Sequence, residues 1–204
     1  MKILITGGYG FIGSNLIKNL LSNKSFSVFN IDKLGYASNP RCVLEANNEN
    51  KNNNYHFYEL DLCKNEKLNE IFNEIKPDLV MHLAAESHVD RSIENPISFV
   101  ESNCLGVINI LQCIKDLKLQ KKIKLLHIST DEVYGQVNLP SKENNKYFPS
   151  SPYSASKASA DFFIRAWNKT FNVKNLILHP SNNYGPRQFP EKLIPLMIIN
   201  GIHK

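Results

Sequence analysis

A doubly wound α/β fold on a parallel sheet is predicted from three observations in the 204-residue sequence. Short apolar, β-branched runs alternate with longer amphipathic stretches along the whole chain, as successive β-α units require. The first such run leads directly into a glycine-rich turn, Gly7-Gly8-Tyr9-Gly10-Phe11-Ile12-Gly13. A later run, Leu79-Val80-Met81-His82-Leu83-Ala84-Ala85, is apolar without a break, as expected of a central strand covered on both faces.

The first strand is Lys2-Ile3-Leu4-Ile5-Thr6, and the first helix is expected from Ser14 to Leu21. The glycines between them read in two frames, Gly8-x-Gly10-x-x-Gly13 or Gly7-x-x-Gly10-x-x-Gly13. Either frame removes side chains where the chain turns tightly, where backbone N–H groups approach a pyrophosphate, and where helix packs on strand. The second strand, Ser27 to Ile31, ends in Asp32, at the spacing of an acid that binds an adenosine ribose. A carboxylate there accepts from both ribose hydroxyls and repels a 2′-phosphate, so the expected cofactor is NAD; the adjacent Lys33 is the feature that leaves room for NADP. Together these features predict the Rossmann arrangement.

Further along, Asn47 to Asn54 is too polar to join a core and is expected to be a mobile surface loop. Tyr55 to Leu60 is a strand leading to Asp61-Leu62, Leu68 to Ile75 a helix closed by Pro77, and Leu79 to Ala85 the central strand. A long helix from about Ile97 to Leu117, a strand from Ile123 to Ile128, a helix containing Tyr153 and Lys157, and a strand Leu176 to His179 complete the order. The crossovers should be right-handed, and no internal repeat or linker interrupts them.

Composition narrows the function classes. With 42% apolar and 21% charged residues the chain is that of a soluble globular domain with a sizeable core. Met1-Lys2 opens straight into the first strand and no apolar run reaches bilayer length, so neither a signal peptide nor a membrane span is expected and a cytoplasmic location follows. The formal charge of +5 owes much to the lysines between Lys115 and Lys124, which complement a helix C-terminus rather than form a nucleic-acid surface; the mild excess still attracts an anionic sugar nucleotide. Cys42, Cys63, Cys104 and Cys113 lack C-x-x-C spacing and read as buried thiols in a reducing compartment. The six histidines lack ligand spacing, and His82 and His127 read as satisfied core imidazoles, so no metal is expected.

The chemistry-bearing residues follow the strand ending at Ile128 and open the next helix. Tyr153 and Lys157 are four apart and share one helix face, so the ammonium and a positive nicotinamide ring would favour a phenolate able to take the proton of an alcohol. Oxidation of a sugar carbinol acidifies the adjacent C–H. Glu132 would then remove that proton while a protonated Asp131 gives one to a departing hydroxyl, since close carboxyls split their pKa values. Thr130 would donate to the substrate hydroxyl or developing oxyanion. The competing reading, of equal weight on composition, is that Asp131 and Glu132 cap the following turn.

With these residues assembled, the chain resembles the extended short-chain dehydrogenases/reductases, and among them the dTDP-glucose 4,6-dehydratases. The resemblance is carried by GGYGFIG, DKLGYASNP, LAAESHVDRS, STDEVYG, PYSASKASAD and SNNYGPRQFPEKLIP, the acid pair in STDEVYG being the most specific. It implies transient oxidation at sugar C4, loss of water across C5 and C6, and hydride return to C6, with the product serving deoxysugars of surface polysaccharide. It further implies that Gly7, Gly10, Phe11, Ile12 and Gly13 hold the pyrophosphate and Asp32 and Lys33 the ribose side. Asp61 and Leu62 would flank adenine, and Leu83, Ala84, Ala85, Ser102, Tyr153, Lys157 and Asn183 would approach the rest of the NAD. Ser87, Thr130, Asn182, Lys192 and Leu193 would face the glucosyl nucleotide. Ser102 stands where threonine is common, which keeps the hydroxyl. On the same resemblance, residues 1–204 form the NAD-binding domain and the part from about residue 182 begins the smaller substrate domain, most of which is absent; Gly201 to Lys204 is expected to lie within a connection. A homodimer through the helices Ile97 to Leu117 and Pro152 to Phe171 is implied. The alternatives are another nucleoside-diphosphate-sugar dehydratase, epimerase or decarboxylase, or a non-catalytic NAD-binding fragment.

Overall fold

Six parallel strands form one sheet in the order β3-β2-β1-β4-β5-β6. They are β1 (Lys2–Thr6), β2 (Ser27–Asp32), β3 (Tyr55–Glu59), β4 (Leu79–His82), β5 (Lys124–Ile128) and β6 (Asn175–Leu178). The computed structural model describes residues 1–50, 53–136 and 141–203. The chain starts at the centre of the sheet, winds out to β3, returns to β4 and continues to β6, so the direction reverses between β1 and β4. Thr6 pairs with Ile31 on one side and His82 on the other, so three strand ends open together at that reversal, where doubly wound sheets bind ligands.

Side-chain alternation along β1 explains why both faces are covered. Leu4 joins Val80, Leu125, Leu68, Phe72, Ile110 and Ile164 on one face, while Ile3 and Ile5 join Val28, Ile17, Leu21 and Val43 on the other. Each such fully buried aliphatic side chain contributes about 2 kcal/mol. The helices present matching stripes: α1 (Phe11–Leu21) buries Ile17 and Leu21, and α3 (Asn65–Ile75) buries Leu68, Ile71, Phe72 and Ile75 at helical spacing before stopping at left-handed Lys76. α7 (Pro152–Phe171) starts in a capping box between Ser151 and Ser154, with Pro152 in its first turn.

Several boundaries depart from expectation. The polar stretch after β2 is not one loop: α2 (Arg41–Asn50) takes in its first residues, and buried Asn54 donates through Nδ2 to the Phe26 carbonyl. Residues 51 and 52 lie outside the described residues. β4 ends at His82, so Leu83 to Ala85 leave the ladder and become wall of the crevice. The long central helix is continuous from Pro96 to Asp116 but composite, with α5 (Pro96–Phe99), a π-helical segment Val100–Leu105 and α6 (Gly106–Asp116), and it follows a short α4 (Val89–Glu94). Contrary to the compositional expectation, this helix is long and apolar enough to cross a membrane; 56% of its most apolar window is buried in the fold, as in a core helix. Gly201 and Ile202, expected in a connection, close a last helix, α8 (Leu193–Ile202).

Candidate active site

Two adjoining clefts share Gly7, Gly10, Tyr36, Leu83, Ala85 and Ser87 and together form one groove along the carboxyl ends of the strands. The glycine turn builds its floor. Gly7 has φ +71°, and a Cβ there would sit 2.6 Å from the backbone N and Cα of Ala84. A Cβ on Gly13 would strike the Gly7 carbonyl. Gly8 instead donates its N–H to Asn30 Oδ1 and is absent from the lining of either cleft, so the frame Gly7-x-x-Gly10-x-x-Gly13 is the one that faces the groove. Gly10 is the N-cap of α1 and offers no side chain to cap it, which leaves a helix terminus suited to an anion beside Phe11, Ile12 and Gly13.

At one end of the groove, buried Asp32 accepts from the backbone N–H of Tyr9 and Leu34 and from Ser38 Oγ, each at 2.9 Å. Lys33, Asp61, Leu62, Ala84 and Ser102 line the same end. A bare turn, an uncapped helix terminus and a fixed carboxylate at this spacing fit the pyrophosphate and ribose of a dinucleotide.

The other end gathers Thr130, Glu132, Tyr153, Lys157, Asn182, Asn183 and Lys192. A 3-10 turn, Asp131–Tyr134, begins the segment after β5, and its N-cap is Thr130, whose Oγ1 accepts from the Glu132 N–H at 3.3 Å. The cap role therefore belongs to Thr130, and the side chains of Asp131 and Glu132 are not its capping groups. Glu132 lines the groove; Asp131, half-buried, lies just outside the lining, with Thr130 Oγ1 3.5 Å from its Oδ1. Burial and the neighbouring Asp131 push the Glu132 carboxyl up, opposed by Lys192. That upward tuning makes Glu132 a stronger base once ionised.

Tyr153 and Lys157 share a face of α7, yet their coupling differs from the expectation. The Lys157 ammonium donates to the Ile128 carbonyl at 2.7 Å, and burial lowers it to about 8, opposed by the nearby Asp161 and Cys104. Burial pushes the Tyr153 phenol up to about 12; a hydrogen bond with Thr130 opposes this, while Glu132 and Asp131 add to it. The phenolate is thus disfavoured by burial first and by the two acids second, and Lys157 is not what favours it. Lys192 Nζ donates to the Ser87 carbonyl at 3.0 Å, joining two residues expected to face substrate, whereas Leu193 is 72% exposed and outside the lining.

Behind the groove lies a polar cluster. Asp161 Oδ2 accepts from Ser129 Oγ and Tyr147 OH at 2.8 and 2.9 Å and contacts His179 Nε2 at 3.0 Å. His82 Nδ1 pairs with Thr6 Oγ1, but His82 Nε2 and both His127 nitrogens lack hydrogen-bond partners, so these imidazoles are only partly satisfied. Burial drives His82 down to about 3 and His127 well below the usual range, so both are neutral. The four cysteines are free thiols. Among the described residues no group of three His, Cys, Asp or Glu is placed to hold a metal.

Residues without a predicted role also shape the groove. Glu191 accepts from Tyr36 OH at 2.9 Å and from Arg91 at 3.4 Å, tying the segment before α8 to the loop after β2 and to α4. Their only sequence signal was membership of the stretches carrying the resemblance.

Comparison with known proteins gives one family. The profile described as GDP-mannose 4,6 dehydratase matches residues 4–204. Over 99% of its length the chain is 44% identical to a dTDP-glucose 4,6-dehydratase of Shigella flexneri and 46% identical to one of Salmonella typhimurium. It spans 60% of the length of each of these relatives. Among solved structures, the dTDP-glucose 4,6-dehydratase DesIV from Streptomyces venezuelae with NAD and TYD bound matches with a TM-score of 0.90 and 37% identity, over 100% of this chain and 62% of that one. A UDP-glucose 4-epimerase of Thermus thermophilus in complex with NAD matches with a TM-score of 0.82 and 32% identity, over 98% and 61%.

Proposed function

The chain belongs to the GDP-mannose 4,6 dehydratase family, and from that premise we propose that it is the NAD-binding portion of a dTDP-glucose 4,6-dehydratase. The observation that carries the reading is a single groove holding a dinucleotide cradle at one end and Thr130, Glu132, Tyr153 and Lys157 at the other. Residues 1–204 form the cofactor domain, and the segment from about 182 begins the substrate part. Bound NAD supplies the acceptor for hydride from sugar C4 and its donor back to C6.

The chain's own residues then handle protons and position. Tyr153 would take the proton of the C4 hydroxyl once the positive nicotinamide ring of bound NAD offsets the burial and the acids that hold its phenol protonated, with Thr130 beside it and Lys157 one turn further along α7. Glu132 removes the C5 proton of the 4-keto sugar, and Asp131 protonates the C6 hydroxyl as it leaves as water. The proton held by Glu132 is the one that returns to C5. Ser87, Asn182 and Lys192 position the glucosyl nucleotide. The free thiols fit a cytoplasmic setting, and exposed Ile97, Val100 and Phe162 on the two helices fit a homodimer.

The test incubates the protein with NAD and dTDP-glucose, both as this chain and extended to its relatives' length, and follows the alkali-induced absorbance of a 4-keto-6-deoxy sugar. Asp131→Asn and Glu132→Gln are each expected to lower product formation by about 100-fold or more while NAD still binds. Undiminished dehydration in both variants would sink the assignment of the acid pair.

A further inference from the structure

We propose that Glu86, by holding the Lys33 ammonium, sets the preference of the groove for a dinucleotide with a free ribose 2′-hydroxyl over its 2′-phosphorylated form; the inference rests on the dinucleotide reading above. Lys33 directly follows Asp32 and is the only cation among the described residues lining the ribose end. It is therefore the group that would attract a 2′-phosphate. Its Nζ lies 2.9 Å from Glu86 Oε1 and donates to Ser102 Oγ at 2.9 Å, so it crosses from the end of β2 to two other walls of the cleft.

Glu86 is fixed in place from behind. Its backbone N–H donates to Asn103 Oδ1 at 2.9 Å and its carbonyl accepts from Asn103 Nδ2 at 3.0 Å. Asn103 is 1% exposed and also donates to Ser156 Oγ. Ser102 and Asn103 are neighbours on the π-helical segment, so one local feature supplies both the second acceptor for Lys33 and the clamp on Glu86. Asp32, Asp61 and Glu86 then outnumber the single ammonium at this end, and a 2′-phosphate carrying a charge of about −1.5 to −2 meets net repulsion. Neutralising Glu86 frees an ammonium with its donors beside the ribose. Because both side chains reach solvent, screening limits the gain to about tenfold.

The dissociation constants of NAD and NADP are to be measured by calorimetry for the native chain, E86Q, E86D and the K33Q/E86Q double variant. Expected is a shift of the NADP-to-NAD affinity ratio by about tenfold toward NADP in E86Q, a native ratio in E86D, which keeps the charge, and loss of the gain in the double variant. A ratio unchanged in E86Q, or a gain that survives without Lys33, overturns the inference alone. A native chain that binds neither nucleotide overturns the dinucleotide reading and this inference with it.

Discussion

At the residue scale the groove is defined by groups whose ordinary chemistry is altered by burial. Lys157 shows this most sharply. The residue is 3% exposed, and its ammonium keeps one hydrogen bond to Ile128 and is lowered to about 8, whereas an unfolded lysine titrates near 10.4. Between these values the unfolded state holds one proton more than the folded one, so stability rises with pH over that interval; below it both forms are charged and the full burial cost remains. Lys157→Met is therefore expected to be more stable than the native chain near pH 7. The difference, up to roughly 3 kcal/mol, should shrink as pH rises from about 8 toward 10. Urea unfolding of both proteins across that range checks it; a constant difference would mean that Lys157 is not held against its own charge.

At the element scale, α7 places both Tyr153 and Lys157, and its buried first turn is also held by a side-chain cap. Ser151 Oγ accepts from the Ser154 N–H at 3.0 Å, and Ser154 Oγ accepts in return from the Ser151 N–H at 3.0 Å. Ser151→Ala leaves the Ser154 N–H without that acceptor and is expected to cost about 1 kcal/mol in urea unfolding. Because Tyr153 is the second residue of the helix, loosening this turn should also weaken the constraint on its phenol. The π-helical segment Val100–Leu105 is a second local irregularity, and it carries Ser102 on the cleft lining and Asn103 hydrogen-bonded to Glu86.

At the scale of the whole molecule, two exposed apolar surfaces stand out among the described residues. Ile93, Ile97 and Val100 are 66%, 63% and 51% exposed along the α4–α5 side, and Phe162 on α7 is 56% exposed. These elements pack on one another, so two copies related by a twofold axis would bury the stripe on both. Sedimentation is expected to give a dimer mass for the chain, and Ile97→Lys with Phe162→Lys should give a monomer; a monomeric native chain removes the proposal. The second exposed surface, α8, carries Leu193, Met197, Ile198 and Ile202 at 72%, 64%, 55% and 74%.

How much was legible depends on the distance over which each feature is determined. The alternation of strands and helices, the glycine turn and Asp32 were readable because each follows from neighbours in the chain: a positive φ at Gly7, a helix terminus directly after a strand, a carboxylate at a strand end. The pair Tyr153 and Lys157 was readable for the same reason, four residues on a helix. Tertiary structure alone chose between the two glycine frames, because Gly8 is turned to Asn30, 22 residues away. It moved the cap from the acids to Thr130 and turned Lys157 toward Ile128 instead of the phenol. It also brought Glu86 to Lys33 and Glu191 to Tyr36, the latter across 155 residues of chain. The sequence by itself determined the α/β order and the cofactor cradle, since local geometry and periodicity suffice for them. The charge state and partners of the groove were decided only by the fold, since they depend on which groups burial and long-range packing bring within reach.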